Sequence, residues 1–178
     1  WEASLWLLAG MDDLVLDEYC FNAAMSACEK STRWDLAICI FEMMSLHQAL
    51  PGVITFNAAL GSCKGGGQWE RAFLMWQEMQ ARALLPDVIT YNCAIGTCNA
   101  AGKWDLALHV FTSFSEKTEA GPDGSTFTEL AGALEKANQW RFSLEILSIA
   151  LSRSVVPDGT FAGSIAGAVA AACGEGSG

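Results

Sequence analysis

The chain has 178 residues, 52% hydrophobic and 17% charged, with four prolines and a formal net charge of −10 at neutral pH. A chain this apolar can bury enough surface to order itself, which argues against disorder, and no apolar run reaches the roughly 18–20 residues a membrane span needs. Its seven cysteines are odd in number and lack zinc-site spacing, so they read as reduced packing residues rather than a disulfide framework or metal centre.

Residues 1–17 open in mid-pattern. Trp1, Ser4, Leu8 and Met11 stand where Trp34, Ala37, Phe41 and Met44 stand later, so this stretch reads as the second helix of a preceding repeat and a linker. The expectation is a piece of a longer array, with no targeting segment in the stretch given.

Residues 18–52 form a first unit. Phe21, Ala24, Met25 and Cys28 recur at i, i+3, i+4 and i+7, one face of a helix. Trp34, Ala37, Phe41 and Met44 make a second such face, and the unit closes on Pro51-Gly52. Residues 53–87 repeat this 35 residues on, with Phe56, Ala59, Leu60 and Cys63, a Gly65-Gly66-Gly67 turn, then Trp69, Ala72, Phe73, Trp76 and Met79, closing on Pro86-Asp87. Residues 88–123 follow with Tyr91, Ala94, Ile95 and Cys98, then Trp104, Ala107, Phe111 and Phe114, and carry one extra residue before Pro122. Residues 124–158 form a fourth copy with Phe127, Leu130, Ala131, Leu134, Trp140 and Leu147, ending on Pro157-Asp158. A terminal helix is expected over 159–173 and a flexible tail over 174–178.

A fixed period of a few tens of residues signals a solenoid. Each unit is a pair of antiparallel helices, A then B, and the fold class is an all-α, right-handed superhelical solenoid. No pair buries both apolar faces alone, so neighbours stack. Trp34, Trp69, Trp104 and Trp140 are expected between helices A and B of their own repeats, and Cys28, Cys63 and Cys98 as shielded core thiols. The acids after three of the tryptophans (Asp35, Glu70, Asp105) suit the first turn of a helix.

Two columns lie off the core. The fifth residue of each repeat is Asn22, Asn57, Asn92 and Thr128. Asparagine competes for backbone groups inside a helix, so its recurrence there needs a reason. Residues three before it (Tyr19, Ile54, Ile89, Ser125) and four after it (Ser26, Gly61, Gly96, Gly132) share its face. Either the amides bond to neighbouring repeats as a ladder, or this face is a groove floor for a ligand, with the small residues leaving room. The last residue of each repeat is Gly52, Asp87, Asp123 and Asp158, a position where Asp suits an N-cap.

Val-Ile-Thr-Tyr-Asn at 88–92, the small-then-Cys step, Trp-x-x-Ala, Phe and the closing Pro-Asp, on a 35-residue period, resemble the pentatricopeptide repeat family. The resemblance implies single-stranded RNA binding at one base per repeat, read by two or three side chains. It implies that Asn57 with Asp87 and Asn92 with Asp123 read uracil, Thr128 with Asp158 guanine, and Asn22 with Gly52 a pyrimidine loosely. Position two is the family's base wedge, which Ile54 and Ile89 match, Tyr19 occupies in the first repeat, and Ser125 departs from. Lys30, Lys64 and Lys136 stand near the family's phosphate-contacting lysine. It further implies a role in organellar RNA processing, in a mitochondrion or chloroplast.

No cofactor, metal or catalytic role is expected, and the segment is expected to be a monomeric piece of its array. Gly96 to Lys103 has the look of a phosphate loop, but with one residue too many and Trp104 in place of Ser or Thr. The rival reading is a protein-binding helical-repeat scaffold, with other proteins as partners. The charge along the groove floor separates the two, because phosphate neutralisation supplies much of the affinity for nucleic acid.

Overall fold

The computed structural model of the chain describes residues 18–47, 49–117, 121–153, 155 and 159–175. The helix expected within 1–17 and the closing Asp158 lie outside the described residues. These contain nine α-helices and no strand: α1 Glu18–Lys30, α2 Trp34–Leu46, α3 Val53–Gly66, α4 Trp69–Ala81, α5 Val88–Ala100, α6 Trp104–Lys117, α7 Gly124–Lys136, α8 Trp140–Ser152 and α9 Gly159–Glu175. Odd-numbered helices are the A-helices and even-numbered ones the B-helices. The last helix runs to Glu175, into the stretch read from sequence as a tail.

Local chemistry sets the helix ends. Asp87 and Asp123 cap α5 and α7 by accepting the backbone N–H of Thr90 and Thr126, and each threonine hydroxyl accepts the cap residue's own N–H in return. At the far ends, Thr32, Gly67, Gly102 and Asn138 take the left-handed conformation, with φ of 52°, 63°, 66° and 56°. The following N–H, from Arg33, Gln68, Lys103 or Gln139, then bonds back to the carbonyl of Cys28, Cys63, Cys98 or Leu134 at 2.9–3.0 Å. This satisfies carbonyls the helix would otherwise leave unpaired. α2, α4 and α8 lack a side-chain cap at Arg33, Gln68 and Gln139, and the acids Asp35, Glu70 and Asp105 stand in the first turns of α2, α4 and α6.

Every A-helix face read from the spacing is buried. Phe21, Phe56, Tyr91 and Phe127, with the three residues that share each face, lie at the centre of the stack. Each of the three inner A-helices, α3, α5 and α7, packs on its own B-helix, on the A-helix of the next repeat and on the B-helix of the repeat before. Among the described residues, consecutive B-helices do not come close at the backbone. The A-layer is therefore the shorter, concave side, and the B-layer splays open on the convex side. Open grooves of about 370 Å³ beside Ile38, Phe41 and Met75, and about 200 Å³ beside Leu108, Phe111 and Ile146, mark that splaying.

One aromatic pair recurs at the first three junctions. Phe41, Trp76 and Phe111 of the B-helices meet Phe56, Tyr91 and Phe127 of the next A-helix edge to face, at ring-centroid distances of 5.1, 4.9 and 5.6 Å. That is a favoured aromatic geometry.

The tryptophans that open the B-helices do otherwise than expected. Trp34, Trp69 and Trp104 are half-buried and Trp140 is 36% exposed. Trp34, Trp69 and Trp104 roof the step to the next repeat instead of filling their own. Trp34 lies against Gly66 and under the Arg71 guanidinium at 5.4 Å, Trp69 meets the Lys103 ammonium at 4.8 Å, and Trp104 meets Phe142 at 5.6 Å. The cause is geometric. A first-turn side chain leans toward its helix N-terminus, and so overhangs the turn.

Phe56→Ala is expected to destabilise the protein by about 3–5 kcal/mol, seen as an earlier denaturant midpoint, because Phe56 is fully buried at a repeat junction. Thr32→Gly is expected to stabilise it by about 1 kcal/mol, since a β-branched residue is held there at positive φ. Equal unfolding midpoints for Thr32→Gly and the parent would contradict this.

Candidate nucleic-acid interface

The concave face is built from the A-helix side opposite the core. Asn57 follows the buried Phe56 and sits at the edge between α3 and α5. Its Oδ1 accepts the Thr90 hydroxyl at 2.6 Å, and its Nδ2 donates to the two Asp87 carboxylate oxygens at 3.1 and 3.2 Å. Asp87 Oδ1 also accepts the Thr90 N–H at 2.8 Å. The next junction repeats this. Asn92 Oδ1 accepts the Thr126 hydroxyl at 2.6 Å, Asn92 Nδ2 donates to Asp123 at 3.2 Å, and Asp123 accepts the Thr126 N–H at 2.9 Å. Each amide orientation is thus set by a hydroxyl on one side and a carboxylate on the other.

The first junction keeps half of the arrangement. Thr55 donates to Asn22 Oδ1 at 2.7 Å, but Gly52 brings no carboxylate. Glu18 occupies the gap, with Oε1 2.6 Å from where a Cβ on Gly52 would stand and 3.5 Å from Asn22 Nδ2. At the fourth repeat, Thr128 bonds back to the Gly124 carbonyl at 2.9 Å, and its expected partner Asp158 lies outside the described residues. The structure thus brings Asn57 to Asp87 and Asn92 to Asp123. The ladder reading of the asparagine column holds at these three junctions, since the Asn22, Asn57 and Asn92 amides each bond to the next repeat through a threonine.

Position two is exposed throughout. Tyr19, Ile54 and Ile89 are 82%, 66% and 60% exposed, and Ser125 is also exposed. These are large apolar groups left in water on the face that carries the amides.

The small residues of the floor do not leave empty space. The room at Gly61, Gly96, Gly132 and Gly167 is filled by Glu29, Lys64, Asn99 and Glu135, each from the A-helix of the repeat before. Of the three lysines singled out, Lys30 is exposed at the end of α1, Lys136 donates to the Asn99 carbonyl at 3.0 Å, and Lys64 is ion-paired with Glu129. The described acids divide between the faces. Glu18, Glu29, Asp87, Asp123, Glu129 and Glu135 lie on the A-layer, and Asp35, Glu42, Glu70, Glu78, Asp105 and Glu145 on the B-helices. The groove floor is therefore not positive.

Thr55, Thr90, Thr126, Glu18 and Glu129 escaped the sequence reading. The threonines carry a signal that could have found them, a residue three beyond each N-cap that completes a capping box. Glu18 and Glu129 carry none, because the gap beside Gly52 and the Lys64 and Asn99 side chains that meet them belong to other elements. Gly96 lies inside α5, so the phosphate-loop resemblance at Gly96 to Lys103 has no loop behind it. Among the described residues no three His, Cys, Asp or Glu side chains could together hold a metal ion, and no helix is long and apolar enough to cross a membrane. Burial pushes the Cys63, Cys93 and Cys98 thiols up to about 11.

A model of the PPR repeat family matches residues 51–100, and a pentatricopeptide repeat domain model matches residues 9–66. The chain belongs to the pentatricopeptide repeat family. None of the curated proteins matches it in sequence. Among solved structures it is similar to the pentatricopeptide repeat protein PPR10 from maize, at 22% identity over 94% of this chain and 24% of that one, with a TM-score of 0.74. PPR10 in complex with an 18-nt psaJ RNA element aligns at 23% identity over 98% of this chain and 26% of that one, with a TM-score of 0.77. The PPR domain of Arabidopsis thaliana protein-only RNase P 1 in complex with tRNA aligns at 13% identity over 89% of this chain and 83% of that one, also at 0.77. The chain spans about a quarter of the length of the maize protein, and at these identities the likeness is one of fold.

The junction acids of this pentatricopeptide repeat segment have a signed pH dependence. Burial pushes the Asp87 and Asp123 carboxyls up, but the N–H and hydroxyl of Thr90 or Thr126 and the Asn57 or Asn92 amide outweigh it and hold both below the ordinary value. A depressed folded pKa gives stability that is present above the unfolded value of about 3.9 and lost as pH falls through the folded one. The thermal midpoint, followed by circular dichroism, is expected to drop more between about pH 4 and pH 2 in the parent than in the Asp87→Asn/Asp123→Asn variant. Parallel curves would show that these carboxyls contribute nothing.

Proposed function

We propose that this segment reads single-stranded RNA along its concave face, one base per repeat. The observation that carries the reading is the bonded Asn–Asp–Thr junction, present at two successive repeats with an exposed isoleucine beside each. Asn57 keeps one amide N–H, and Asp87 keeps lone pairs, for a base edge. Uracil offers an N–H donor between two carbonyl acceptors, which complements a carboxylate beside an amide N–H. Cytosine places a ring-nitrogen acceptor at that point, where a carboxylate repels it. Ile54 and Ile89 then fit between successive bases, and apolar contact with base faces recovers the exposure they suffer alone.

Carried over from the family likeness, the order is a pyrimidine at Asn22, uracil at Asn57 and at Asn92, and guanine at Thr128 with Asp158. Lys30, Lys64 and Lys136 are proposed phosphate contacts. The structures of the maize protein with an RNA element and of the Arabidopsis domain with tRNA support RNA as the ligand class. Organellar RNA processing is the setting this reading implies.

One observation favours a second reading, the protein-binding scaffold. Glu29 and Glu135 stand in the same floor column as Lys64, so that column repels phosphate at two of its places.

The test is binding of short single strands at low salt to a tandem array of these repeats. Asn57→Thr is expected to shift its site from uracil toward guanine, with discrimination of about 1–3 kcal/mol per base, the scale of direct base-edge readout. Equal affinity for matched and scrambled strands would end the base-reading proposal in favour of the scaffold.

A further inference from the structure

Lys64, in the last turn of α3, extends across α5 to α7 and pairs with Glu129, two repeats away. Gly96 makes the path possible, since a Cβ there would stand 2.7 Å from Lys64 Cε. Asn99, from the intervening α5, donates to the other Glu129 oxygen at 2.9 Å. Three successive A-helices thus contribute to one carboxylate on the groove floor, and the lysine and glutamate side chains remain 41% and 24% exposed. A carboxylate held by a lysine and an amide N–H has the recognition chemistry of a phosphate in the same place.

We propose that Glu129 is the affinity-setting residue of this face: it is a resident anion that occupies the position where Lys64 would meet a phosphate of the strand. Binding there is an exchange of one anion for another. The phosphate gains the lysine while Glu129 is left uncompensated beside the strand. The pair therefore adds little net attraction in the native protein, despite holding the one lysine of the floor column. The inference rests on the RNA reading above, and it assigns the low-affinity element of that site to one side chain.

The test measures the native chain against Glu129→Gln, Lys64→Met, the double variant and Glu70→Gln. Glu70→Gln makes the same charge change on the convex side. Each is titrated by fluorescence anisotropy with a labelled oligouridylate over a range of salt concentrations, after circular dichroism confirms the fold. A half-exposed ion pair contributes little stability, so all variants are expected to fold.

Glu129→Gln is expected to bind several-fold more tightly, with the slope of log affinity against log salt steeper by about 0.7, the value for one further phosphate contact on a single strand. Lys64→Met alone is expected to weaken binding several-fold, because it leaves the Glu129 carboxylate uncompensated beside the strand, and in the Glu129→Gln background to abolish the gain. Glu70→Gln is expected to match the parent. A parent that binds, with Glu129→Gln no tighter, would overturn this inference and leave the RNA reading intact. A double variant as tight as Glu129→Gln would also overturn it, because the gain would then come from unclasping the helices rather than from freeing a cation. Absence of binding by every variant at low salt would overturn the RNA reading and this inference with it.

Discussion

Each helix pair has two apolar faces and only one partner within its own repeat. That constraint makes the solenoid. A-helix residues such as Phe56 and Leu60 are fully buried because a neighbouring repeat covers them, and the edge-to-face pairs at Phe41–Phe56, Trp76–Tyr91 and Phe111–Phe127 recur over the first three steps. Since, among the described residues, A-helices pack on one another and B-helices do not, the stack bends. The bend turns one repeated helix face into one continuous concave surface. A column of residues in the sequence becomes a row along a groove for that reason alone.

The junction chemistry performs two tasks with the same atoms. Asp87 and Asp123 cap the incoming A-helix and, through the same carboxylates, orient the asparagine of the repeat that they close. The threonine that completes the capping box donates its hydroxyl to that asparagine. Holding the helix start therefore also holds the amide, and a polar group at a helix edge is kept in one orientation without a bound ligand. Rigid placement of this kind lowers the ordering cost of recognition.

Charge is the property in which this face departs most from a simple nucleic-acid surface. Glu29, Glu129 and Glu135 stand on the floor with a single paired lysine among them. Under the proposed RNA reading, base-edge chemistry would favour a strand there, while the field of the floor opposes it. Local pairing decides the balance more than net charge does, because an ion pair removes a cation from the surface potential without changing the sequence composition.

The sequence by itself determined the period, the helix faces and the columns. Those depend on residue type and spacing within one repeat, and Phe21, Phe56, Tyr91 and Phe127 are buried where the spacing puts them. The recurring asparagine and the closing acid were legible for the same reason, and their pairing at Asn57–Asp87 and Asn92–Asp123 needs only contact between the start of one helix and the start of the next. Whatever depends on reach between repeats was decided by tertiary structure. Trp34, Trp69 and Trp104 roof the following repeat because a first-turn side chain leans past its own helix. Glu18 fills the space beside Gly52, and Lys64 crosses Gly96 to Glu129, because a missing Cβ opens a path for a side chain from another helix. Spacing along one repeat records which face a residue occupies, but not which distant side chain arrives there.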